Sequence, residues 1–115
     1  MDLITPELRE RLLANGRAAR DDAHADPFPV VKWFNPCGAA TWIISELDPD
    51  NQDLAFGLCD LGMGFPELGH VSVSELQSIR LLGGALGIER DLHWSPDRPL
   101  SDYARQARAA GRILT

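Results

Sequence analysis

Asp60, Glu67, His70, Asp91 and His93 are the residues of this chain whose types could do acid–base or metal chemistry. Asp91 and His93 stand two apart, so on a strand both would point to one face. A carboxylate and an imidazole there could hold a divalent ion if the preceding loop supplied Glu67 or His70. The Glu67-x-x-His70 spacing occurs in helical di-metal sites, but Pro66 and Gly69 argue against a helix. The competing reading is a polar outer strand face beside a loop whose Glu67 serves backbone donors. On the metal reading the protein is a small hydrolase or nuclease centred on Asp60, Glu67, Asp91 and His93; on the competing reading it has no cofactor.

Three further constellations need weighing. Cys37 lies in a turn between Pro36 and Gly38, and Cys59 lies in an apolar run. A nucleophilic thiol needs a base and an electropositive setting, and this region holds only acids. Arg98, Arg105, Arg108 and Arg112 could track phosphates from a C-terminal helix. The sequence pI of about 4.9 and the lack of a helix-turn-helix pattern weigh against nucleic acid as a direct partner. Finally, no Lys or Arg occurs between Lys32 and Arg80, where Glu46, Asp48, Asp50, Asp53, Asp60, Glu67 and Glu75 fall. That acidic interval is expected to be a protein-binding surface, with Asp48, Asp50, Asp53, Asp60, Glu67 and His70 as its residues, and it could mimic nucleic-acid charge. Packing of the basic C-terminal helix against an acidic sheet is the plainer alternative. Trp33, Trp42 and Trp94 either add contact area or form the core. Gly62-Met63-Gly64 and Gly83-Gly84 lack the context of a phosphate-binding loop.

The elements that must position these residues can be read in order. Thr5-Pro6-Glu7 predicts a helix start, and Leu8, Leu12 and Leu13 share a face, with Asn15-Gly16 as the stop. Strands are predicted at Pro29–Phe34, Thr41–Leu47 and Leu54–Leu61, joined as an antiparallel meander through turns at Asn35–Gly38 and Asp48–Asp53. Three glycines and a proline make Gly62–Gly69 a shaped loop. Ser72-Val73-Ser74-Glu75 predicts a capping box and a helix that Gly83-Gly84 breaks. Alternation over Leu86–Trp94 predicts another strand, at an edge because Arg90 interrupts its apolar face. Ser101 caps a last helix from Asp102 to about Gly111.

These elements together give an α+β fold class: an antiparallel sheet of four to five strands with N-terminal, central and C-terminal helices. At 115 residues the expectation is one domain over 1–115. It divides into a helix and polar loop (about 1–27), a sheet with a central helix (28–94), and a linker with the last helix (95–115). The N-terminus has early acidic residues and no sustained apolar run, unlike a secretory signal, and no segment is apolar enough to span a bilayer. The expected location is the cytoplasm, with no membrane contact.

The text of the chain also resembles a bacterial family called domain of unknown function 2958. Lys32–Trp42, Glu46 with its acidic turn, Phe56–Gly62, Pro66–Ser72, Glu75-Leu76 and Glu89–His93 carry the likeness in order, over nearly the whole chain. His70 stands where a Tyr is usual, which speaks against His70 as an essential ligand. The resemblance implies a small stand-alone cytoplasmic protein of plasmids and other mobile elements. It brings no catalytic or binding residues with it. In that setting the expected role is non-enzymatic: a binding or inhibitor module, with counter-defence as one use. Its partner would be another protein, and one that normally binds nucleic acid would suit the acidic surface.

Overall fold

The computed structural model describes residues 1–115. The chain forms helix α1 (Pro6–Asp21), strands β1 (Val31–Phe34), β2 (Thr41–Asp48), β3 (Asn51–Asp60) and β4 (Glu67–Ser72), and helix α2 (Val73–Ser78). Strand β5 (Glu89–Arg90) and helix α3 (Leu100–Ala110) complete it. The five strands make one antiparallel sheet in the order β4-β3-β2-β1-β5. The architecture is α+β.

Alternation along β2 divides the core between the two faces of the sheet. Trp42 and Ile44 join Leu12, Leu13, Trp33, Leu47 and Ala55 under α1 and α2. Ile43 joins Leu58 on the other face, under Leu100, Tyr103, Ala104 and Ala107 of α3. The register shifts between Ile44 and Glu46, and this bulge leaves Ser45 fully buried with its hydroxyl donating to the Phe56 carbonyl at 3.3 Å.

Several boundaries differ from the expectation, each for a local reason. α1 does not stop at Asn15-Gly16. Gly16 is buried because the helix backbone runs against β2: a Cβ there would lie 2.0 Å from the Leu47 carbonyl oxygen. Asn15 donates from Nδ2 to the Ser45 carbonyl at 2.9 Å and so ties the helix to the bulge. The acidic turn shrinks to Pro49-Asp50, because Asn51–Asp53 already belong to β3.

The shaped loop is likewise shorter, Leu61–Pro66, since Glu67–Ser72 pair with β3 as β4. Leu86–Trp94 supplies only the two residues of β5. The edge position holds, but Asp91 accepts the His93 amide at 2.9 Å and turns the chain away. Asp91 and His93 therefore share no strand face. Ser101 is not the cap of α3; Pro99 holds that position, and Ser101 is bonded through its amide and hydroxyl to Asp26. No helix is long and apolar enough to cross a membrane.

Candidate functional site

Asp60 ends β3 and fixes two neighbouring segments of backbone. It is 3% exposed, yet both carboxylate oxygens are used. Oδ1 accepts the Gly62 amide at 2.8 Å, and Oδ2 accepts the Ile113 amide at 2.9 Å. One side chain thus holds the start of the Leu61–Pro66 loop and the segment that leaves α3. Gly62 and Gly64 adopt φ of 82° and 88°, where a side chain is strained, and a Cβ on Gly62 would press on Ala39 at 2.8 Å. Pro66 is buried and closes the loop onto β4.

Between these anchors the loop turns its large side chains outward. Leu61, Met63 and Phe65 are 61%, 70% and 78% exposed. Gly62 and Gly64 alternate with them along the loop. This apolar tip was missed in the sequence, although the Leu-Gly-Met-Gly-Phe alternation carries it. The neighbouring Asn35–Gly38 turn exposes Cys37, whose amide bonds to the Asn35 side chain. Cys59 is different: burial pushes its thiol up to about 11, so it packs as an unreactive group.

Asp48, Asp50 and Asp53, singled out in the sequence, are drawn into the fold. Arg20 reaches Asp50 at 2.8 Å and Asp48 at 3.7 Å. Asp53 accepts from the Ser72 hydroxyl at 2.6 Å and from the amide and hydroxyl of Ser74. It takes over the start of α2 from the expected capping box, of which only the Glu75 amide bond to Ser72 Oγ is present. The Ser72 hydroxyl first, then Ser74, hold the Asp53 carboxyl below the usual carboxylate range. A depressed folded-state pKa contributes stability above the unfolded value near 3.9 that is lost as pH falls through the folded value. Asp53→Asn is therefore expected to be less stable than the parent at neutral pH, with the gap closing in acid below about pH 4. Urea unfolding of both proteins across that range measures it.

Glu67 is exposed on β4 opposite Cys59, and His70 is exposed with its ring 4.9 Å from that of Phe56. Asp91 lies 3.6 Å from Lys32 beside the opposite edge strand. The two edges stand roughly 19 Å apart at about 4.8 Å per strand. Glu67, paired with Cys59 on the α1 face, and Asp60, bonded to Ile113 on the α3 face, point to opposite sides of the sheet; Asp91 and His93 lie by the far edge, and no three His, Cys, Asp or Glu side chains converge as a metal-holding group.

Of the arginines, Arg98 is locked by Asp97 and Gln106 over the Tyr103 ring, and Arg105 pairs with Asp102 at 2.8 Å. Trp33 and Trp42 are core residues; Trp94 is half-buried beside Tyr103.

A family model described as "Protein of unknown function (DUF2958)" matches residues 3–114. No curated protein and no solved structure matches the chain.

Proposed function

We propose that this chain, which belongs to the DUF2958 family of proteins of unknown function, works by holding another protein on its Leu61–Pro66 loop and not by catalysis. The observation that carries the reading is a loop whose start is tied by Asp60 to the segment after α3, and whose end is the buried Pro66, yet which presents Leu61, Met63 and Phe65 to water. Full burial of each such side chain is worth about 1.5–3 kcal/mol. A fixed loop also loses little conformational freedom on binding, which keeps more of that gain as affinity. The contact moves from the acidic hairpin, whose Asp48, Asp50 and Asp53 are engaged internally, to this apolar tip with Glu67 at its margin.

The scattering of Asp60, Glu67, Asp91 and His93 supports binding over a metal-dependent hydrolase, which needs its groups in one concave site. The setting we favour is the cytoplasm of a cell carrying a mobile element. The partner there would be a host protein, one that handles nucleic acid included, and no cofactor would be involved.

A Leu61→Ser/Met63→Ser/Phe65→Ser variant tests the proposal. Because the three side chains are exposed, stability should change by no more than about 0.5 kcal/mol per site. Affinity for the captured partner should fall at least about thirtyfold, the share of a single hot-spot residue. Affinity kept within about threefold would overturn the reading.

A further inference from the structure

Glu46 sits where two adjoining recesses meet, away from the loop, on the face of the sheet that α3 covers. One recess, of about 270 Å³, is lined by Gly16, Ala19 and Arg20 of α1 and by Glu46, Phe56 and His70 of the sheet. The other, of about 460 Å³, shares Ala19, Glu46 and Phe56 and reaches Leu68 and the start of α3. The floor is the half-buried Phe56 ring, with His70 against it.

The other acids around this groove all have partners. Asp22 accepts the His24 amide, Asp26 takes Ser101, and Asp48 takes the Asp50 amide and the Arg20 guanidinium. Arg20, the cation on the rim, is turned to Asp48 and Asp50. Glu46 is the exception: it is half-buried, and no hydrogen bond or ion pair reaches its carboxylate. Burial raises its pKa while the nearby His70 opposes the rise, as expected of a carboxylate short of a counter-charge.

We infer that this groove binds a guanidinium group, carried by an arginine side chain of a protein segment, between the Glu46 carboxylate and the Phe56 ring. A carboxylate beside an aromatic face is complementary to a planar, weakly hydrated cation, which can bond the oxygens and lie on the ring together. The recess holding Glu46, Phe56 and His70, of about 270 Å³, takes one side chain, and the adjoining recess of about 460 Å³, which shares Glu46 and Phe56, leaves room for the segment that carries it. The chain's net charge of −6 favours approach of a cation. The site stands independently of the loop, and neither needs the other to be correct.

The test is titration of the isolated protein with N-acetyl-arginine methylamide, followed by NMR of the His70 and Phe56 ring protons. Saturable shifts confined to these rings and the Glu46 amide are expected. The neutral citrulline analogue should give none, and Glu46→Gln should bind at least about tenfold more weakly. The citrulline control decides the charge requirement even if the variant is unstable. Equal response to citrulline, unchanged binding by Glu46→Gln with a native spectrum, or absence of saturable shifts overturns the proposal. Tighter binding of free L-arginine than of the blocked form overturns the assignment to a protein segment.

Discussion

Trp33→Ala is expected to destabilise the protein by about 3–5 kcal/mol, a large part of the 5–15 kcal/mol that holds a typical domain folded. Trp33 is completely buried on the α1 face, paired across β1 and β2 with Trp42. Its Nε1 donates to the Leu3 carbonyl at 2.9 Å, which secures the segment before α1 to the sheet. Truncation both opens a cavity and strips a buried carbonyl of its donor. Trp33→Phe separates the two effects: it fills most of the volume but leaves Leu3 unpaired, for a loss of about 1–3 kcal/mol. Guanidinium unfolding of the three proteins measures both values. A loss in Trp33→Ala no greater than in Trp33→Phe would show that the side-chain volume is not what the core uses there.

Asp60→Ala should rank with Trp33→Ala and should in addition reach the proposed contact surface. The carboxylate accepts two amides, Gly62 and Ile113, in a nearly dry position. Bonds to a charged acceptor contribute about 1.5–3 kcal/mol each, so the loss is about 3–6 kcal/mol. The loop and the segment after α3 are released together. Amide exchange should therefore quicken at Gly62 and Ile113 at once, and partner affinity should fall because a loosened loop must be ordered on binding. Asp60→Asn keeps an acceptor for one of the two amides and should lose less. Exchange that quickens at Gly62 while Ile113 stays protected would contradict the double anchor.

Much of the architecture was legible because it rests on local rules. Thr5-Pro6, the alternating strands and Ser72 carry their signals within a few residues, and α1, β1–β3 and α2 start at or near the expected places. β4 was hidden since Glu67-Leu68-Gly69-His70 reads as loop chemistry. It is a strand because of its register, Leu58 with Leu68 and Phe56 with His70, which depends on β3. The continuation of α1 past Gly16 has the same origin, a close approach to Leu47 that no local rule announces.

The candidate site was half legible. Three glycines and a proline mark Gly62–Gly69 as a shaped loop, and Met63 and Phe65 of the exposed tip lie within it. Acidic type alone could not show which carboxylates would be engaged by Arg20, Ser72 or Ser74. Nor could it show that Glu46, two residues from Asp48, would be left without a partner.

If a partner protein meets this chain at the loop tip, site-specific photo-crosslinking will capture it there. A benzophenone side chain would replace Met63 in one protein, Asp50 in a second and Arg11 in a third, each expressed in the cell that carries the protein and irradiated there. One discrete adduct to a different protein is expected from position 63 and none at comparable yield from positions 50 and 11. An adduct from position 50 in place of 63, or only a covalent dimer of the chain itself, would contradict contact with a partner at the loop tip.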